Sequence, residues 1–235
     1  MYGNNEVGTI QPIKEIGMLL KNHQALFHTD AVQAYGVEDI HVKEQHIDLL
    51  SVSSHKINGP KGIGFLYLSS GIQLSPILFG GEQERKRRAG TENVPAVAGF
   101  QLAAEIAIAQ RKEKRQKYKA FKEILLQTLK ENNIYYKQNG LVENLLPHVL
   151  NLSFPGTNVE ALLVNLDLAG IAASSGSACT AGSIEPSHVL VSLFGEKSER
   201  TKNSIRFSFG LNNTEEQIKK VGTELSKIVQ RLTSK

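Results

Sequence analysis

The chain has 235 residues, 40% of them hydrophobic and 21% charged, with a formal net charge of +4. That composition belongs to a globular protein with a sizeable core, and no apolar run approaches the roughly 18 residues of a spanning helix, so neither a transmembrane helix nor a signal peptide is expected. The single cysteine, Cys179, excludes an internal disulfide and fits a reducing cytosol, while the scattered histidines show no ligand spacing with it and predict no structural zinc.

Taken from the N-terminus, Pro12 stands at a first-turn position ahead of apolar residues at helical spacing, which predicts a helix over 13–22. Residues 25–30 read as a short strand, 31–35 as a helical piece, 48–53 as a strand and, after a lysine-bearing loop, 64–68 as another strand. This alternation predicts an α/β sheet with ligand groups gathered at strand ends. The loop from Phe79 to Thr91 holds the basic run Arg85-Lys86-Arg87-Arg88, flanked by Glu82 and Glu84 and lacking interleaved aromatic residues, so it reads as a solvated loop and not as a DNA-binding site. A helical pattern then runs from Val94 to Leu129. Beyond it come strands at 148–154 and 204–208 and helices at 158–168 and 214–232, an α+β unit. Thr214 and Gln217 have the spacing of a capping box at the start of the last helix. No internal repeat or low-complexity tract is present.

Four segments carry candidate chemistry. Lys56 lies in Ser53-Ser54-His55-Lys56-Ile57-Asn58-Gly59-Pro60, directly after a strand. A lysine that attacks carbonyls needs a rigid, partly desolvated place, because an ordinary amine is protonated and a poor nucleophile. A strand end followed by a Gly-Pro turn can supply that place, although an ordinary solvated charge fits the same spacing. Asp30 and Gln33, three apart at a strand-to-helix junction, are able to face one ligand, or Asp30 is simply a helix cap. Asn4-Asn5-Glu6-Val7-Gly8 offers amides for a carboxylate or forms a plain turn. The small-residue stretch Ala173 to Gly182 carries the only thiol, an arrangement that favours a reactive cysteine over one buried among apolar side chains.

In order along the chain, NNEVGTIQPI, HTDAVQAYG, SVSSHKINGPKGIG, GGEQERKRRAGTENVP, SSGSACTAG and SIRFSFG closely resemble the cysteine desulfurases. These are fold-type I pyridoxal phosphate enzymes that take sulfur from L-cysteine and release L-alanine. The resemblance spans essentially the whole chain, and its serine-rich cysteine segment is similar to the group serving iron-sulfur cluster assembly and tRNA thiolation. It implies an α/β large domain with a mixed, mostly parallel sheet over residues 1–112, and a small α+β domain over 113–235 that carries the cysteine loop. It further implies that family members extend N-terminal to Asn4, where the first strands, a glycine-threonine phosphate segment and a ring-stacking histidine would lie.

By the same resemblance, Lys56 forms the Schiff base and later moves the α-proton, Asp30 pairs with the pyridine nitrogen, and Gln33 hydrogen-bonds the ring oxygen. Ser53 and His55 bind the phosphate, and Thr91 contributes to the phosphate site of the neighbouring subunit of a homodimer. Asn5 and Arg206 hold the substrate carboxylate, Asn5 standing also beside the cofactor. Cys179 receives the sulfur as a persulfide and passes it to an acceptor protein. Rival readings are a non-catalytic fragment that acts as a binding piece or split-enzyme half, and a selenocysteine lyase or aminotransferase of the same fold type.

Overall fold

The computed structural model describes residues 1–176 and 186–234. The chain divides into two compact units: residues 1–2 with 11–111, and residues 3–10 with 112–235. Residues 3–10 thus belong with the second unit, a placement that chain order alone does not anticipate.

The first unit is built on a three-stranded sheet in the order β1 (His28–Asp30), β2 (Leu49–Ser53), β3 (Gly64–Leu68). β1 runs parallel to β2, with Asp30 opposite Ser51, and β3 runs antiparallel to β2, with Gly64 opposite Ser53. The sheet is therefore mixed, with one parallel and one antiparallel pair, and the expected parallel majority is not found. The cause is the short connection between β2 and β3, residues 54–63, which returns the chain as a hairpin; a parallel crossover needs about a dozen residues or more.

Side chains alternate along these strands, so Thr29, Leu50 and Val52 go to one face, where all three are buried. His28, Asp30, Ser51 and Ser53 go to the other. α1 (Ile13–Leu20) approaches the 41–46 turn so closely that a Cβ at Gly17 would overlap the Gln45 carbonyl. The helical piece expected at 31–35 is a run of turns, and the strand expected from residue 25 begins only at His28. Before His28 the backbone of Phe27 is engaged by Asp48, whose Oδ2 accepts the Phe27 N–H at 2.8 Å.

A short turn of helix, α2 (Gln83–Lys86), lies within the charged loop. The expected long helix is two: α3 (Val94–Ala109) and α4 (Arg111–Glu131), separated at Gln110, whose ψ of 3° leaves the helical range. α3 belongs to the first unit and almost all of α4 to the second. α3 buries Phe100, Ala103 and Ala107, and α4 buries Tyr118, Phe121, Leu125 and Leu129.

The second unit has an antiparallel sheet in the order β4 (Lys137–Gln138), β5 (Val149–Ser153), β6 (Ser204–Ser208). On one face Leu150, Leu152, Ile205 and Phe207 join Phe121, Leu125 and Leu129 of α4, Leu162 and Leu166 of α5 (Val159–Leu168), and Leu225 of α8 (Glu215–Thr233) in a single buried core. The other face is polar and also buried: Asn151, Ser153, Ser204 and Arg206. Buried polar groups need partners. Asn139 donates to Asn151 Oδ1 at 2.8 Å and lies 2.9 Å from Ser204 Oγ, Ser153 donates to Asn203, and Asn151 donates to the Glu6 carbonyl at 3.0 Å. This last bond fastens residues 3–10 to the polar face. Among the described residues between β5 and β6 are two further short helices, α6 (His188–Phe194) and α7 (Arg200–Asn203).

Candidate active site

In the first unit the site begins where β1 and β2 end. Asp30 Oδ1 accepts the Val32 N–H at 2.8 Å, which fixes the carboxylate and turns the chain out of the strand. Gln33 follows in that turn, half buried. Asp30 and Ser53 share a sheet face, one strand apart and two residues along from the Asp30–Ser51 pair, so their backbones are about 8 Å apart by strand geometry. Ser53 Oγ and His55 Nδ1 lie 2.8 Å apart.

Lys56 sits in a single turn of 3₁₀ helix, Ser54–Ile57, closed by Asn58 in the left-handed conformation at φ 65°. The three-residue period sends Ser54 and Ile57 inward and leaves His55 and Lys56 outward. Several close contacts hold this turn. The Gly59 N–H bonds the Ser54 carbonyl at 3.0 Å, and the Ser54 N–H bonds Ile63. A Cβ at Gly59 would overlap Ser54 Oγ and come 3.0 Å from Ala103, and one at Gly99 would come 2.7 Å from Pro60. Glycine and alanine on α3 thus let the helix pack directly on the lysine turn. Behind it, Gly36 faces Ile57 and Ala107, each 3.0 Å from where a Cβ would be. The position is tightly held by these contacts. It is not desolvated: Lys56, His55 and Asp30 are all exposed.

Thr91 is exposed, two residues before Asn93, whose side chain caps α3 by accepting the Ala96 N–H at 3.2 Å. Ser54 was not among the expected site residues, yet its hydroxyl is fully buried beneath the lysine turn with no hydrogen-bond partner among the described residues. The Gly59-Pro60 step was the only sequence signal for so tight a turn.

The second unit brings Asn5 and Arg206 together. Asn4 Oδ1 accepts the N–H groups of Glu6 and Val7 at 2.8 and 2.9 Å, folding residues 4–8 into a turn that Gly8 closes at φ 77°. This turn presents the Asn5 carbonyl, not its side chain, to Arg206 Nη1 at 3.2 Å. Arg206 is 8% exposed. Its backbone pairs in both directions with Ser174, at 2.6 and 3.3 Å, so the residues leading to the cysteine segment start beside it. Cys179 itself lies outside the described residues. Two contributors escaped the sequence reading, Asn4 and Glu6, because the motif alone does not tell which of its side chains turn inward. Among the described residues no group of three histidines, cysteines or carboxylates could hold a metal ion, and no helix is long and apolar enough to cross a membrane.

Residues 1–221 match the class-V aminotransferase family. The chain belongs to that family. Within it, the chain is 63% identical over 233 residues to a Bacillus subtilis (strain 168) protein assigned to the cysteine desulfurases, IscS 1, a match that takes in 99% of this chain and 62% of that one. A solved NifS-like protein superposes with a TM-score of 0.86 at 32% identity, over 98% of this chain and 60% of that structure. The structure of SspA in complex with cysteine is 35% identical with a TM-score of 0.69, over 88% of this chain and 57% of its own length. The chain therefore spans about three fifths of the length of these relatives. Its fold is that of NifS-like enzymes over that portion.

Proposed function

We propose that this chain carries the lysine, the carboxylate-binding arginine and the sulfur-accepting cysteine of a cysteine desulfurase. The observation that supports this most is the polar end of the first sheet. Asp30 and Ser53 share one face, His55 reaches Ser53 at 2.8 Å, and Lys56 follows in a turn locked against α3. That donor set suits pyridoxal phosphate: a carboxylate for a protonated ring nitrogen, a hydroxyl and an imidazole for a phosphate, and an amine for a carbonyl.

When bound, pyridoxal phosphate supplies an electron sink for bond changes at the amino acid. Asp30 would face the ring nitrogen and favour its protonated form, and Gln33 would donate to the ring oxygen. Ser53 and His55 hold the phosphate, with Thr91 reaching the phosphate site of a second subunit in a homodimer. Lys56 would hold the cofactor by its amine and would move the proton at the substrate's α-carbon. Asn5 and Arg206 hold the substrate carboxylate, the guanidinium matching that planar anion. The Cys179 thiolate attacks the substrate sulfur, so that the carbon–sulfur bond breaks as a sulfur–sulfur bond forms. Electrons from the broken bond stay on carbon, which takes up a proton and leaves as L-alanine. The persulfide then passes its outer sulfur to an acceptor protein of iron-sulfur cluster assembly or tRNA thiolation. Cysteine as substrate is supported by the complex known for SspA.

The exposure of Lys56, His55 and Asp30 favours a second reading, a desulfurase portion that binds other polypeptides without turning over on its own. Titration of the purified chain with pyridoxal phosphate separates the two. A visible band from lysine-linked cofactor, absent in Lys56→Ala, is expected for the first; no band in cofactor excess rules out catalysis by this chain alone.

A further inference from the structure

Glu6 has no part in the roles above, yet its side chain is buried and the residue is only 2% exposed. Burying a carboxylate costs free energy unless donors meet it. The donor is Ser187, whose hydroxyl bonds Glu6 Oε2 across 181 positions of sequence. On the other side stands Gly176, where a Cβ would come 3.3 Å from the same oxygen and 3.5 Å from Ser187 Cβ. Glu6 therefore reaches between the residue that precedes positions 177–185 and a residue just after them. Cys179 belongs to those positions.

The remaining bonds of this group run into the carboxylate-binding pair. The Glu6 N–H is held by Asn4 Oδ1 at 2.8 Å and its carbonyl by Asn151 at 3.0 Å, in the turn that presents Asn5 to Arg206. Ser187 Oγ accepts the Leu190 N–H at 3.2 Å, so its one proton is free to go to Glu6. Ser174, two residues before Gly176, is paired with Arg206.

We propose that Glu6 is a positioning residue: its carboxylate accepts the Ser187 hydroxyl after the cysteine-bearing segment and packs closely against Gly176 before it, holding both flanks beside the Asn5 turn. The inference rests on the desulfurase reading for its purpose, because that chemistry needs the thiol and the bound substrate in one frame. The roles proposed above assign Glu6 no contact with substrate or cofactor.

The test uses amide hydrogen exchange and turnover on the same variants. In the chain without cofactor, Glu6→Ala and Ser187→Ala are expected to speed exchange at the amides of 174–176 and 187–190 by about ten-fold or more, with β5 and β6 unchanged. Glu6→Gln and Ser187→Thr, which keep the acceptor and the hydroxyl, should stay near wild type. With L-cysteine, both alanine variants should lose about ten-fold in kcat at a KM within about two-fold, and the double variant should lose no more than either alone. Unchanged exchange at the flanks, a uniform rise across β5 and β6, or a raised KM at constant kcat would overturn the proposal. If the wild-type chain releases no alanine, the desulfurase reading fails, while the exchange data still decide the role of Glu6.

Discussion

Arg206 Nη1 donates to the main-chain carbonyl of Asn5 at 3.2 Å, joining residues 201 positions apart. The arginine is thereby held from one side by a turn and along its backbone by Ser174, so its planar head is aimed before any anion arrives. Arg206→Lys keeps the charge and loses the fork. Charge-assisted hydrogen bonds contribute about 1.5–3 kcal/mol, so KM for L-cysteine is expected to rise about 10- to 100-fold with kcat far less affected. Steady-state kinetics of the cofactor-loaded variant check this.

Gly59 lies where a Cβ would overlap Ser54 Oγ and crowd Ala103. Gly59→Ala should therefore destabilise the first unit by about 1–3 kcal/mol and weaken cofactor capture by Lys56, because the lysine turn must shift. Gly62→Ala is the control: it meets nothing within 4 Å, and only its positive φ of 78° opposes the change, at about 1 kcal/mol. Denaturant unfolding of the two variants should rank them in that order.

Lys122 donates to the Leu146 carbonyl at 2.5 Å, and burial, assisted by the positive charge of Arg115, pulls its pKa down to about 8. The unfolded lysine titrates near 10.5, so between pH 8 and 10.5 the unfolded chain binds more protons at this group than the folded one. Its contribution to stability consequently improves as pH rises through that window and is least favourable below pH 8. Lys122→Met removes the titration. Melting curves should show wild type gaining on the variant from pH 8 to 10.5, by about 1–3 kcal/mol in all.

Thr214 and Gln217 form the capping box that their spacing predicts: Thr214 Oγ1 accepts the Gln217 N–H and Gln217 Oε1 accepts the Thr214 N–H, both at 3.2 Å. Thr214→Ala should cost about 1 kcal/mol, seen as a lower melting temperature.

Features of this kind were legible because they are local. Strands at Gly64–Leu68 and Ser204–Ser208 have the boundaries read from the sequence, and Asp30, Ser53, His55 and Lys56 lie near one another because the adjacent ends of β1 and β2 and the turn after β2 carry them. What depended on distant partners was not legible. The helix break at Gln110 has no marker in the apolar pattern, which runs on from α3 into α4. The antiparallel course of β3 was implicit in the short stretch after Ser53, but a pattern of buried strands masked it. Glu6 and Ser187 have no periodic signal at all, since only the fold brings residue 6 to residue 187.

Sulfur transfer from L-cysteine to Cys179, with Lys56 holding the cofactor, is the activity proposed for this chain. The direct measurement is alanine release together with mass spectrometry of the chain after incubation with pyridoxal phosphate and L-cysteine. One alanine per added sulfur is expected, with the sulfur on Cys179, and loss of both in Cys179→Ser and Lys56→Ala. Alanine release that continues undiminished in Cys179→Ser would contradict it.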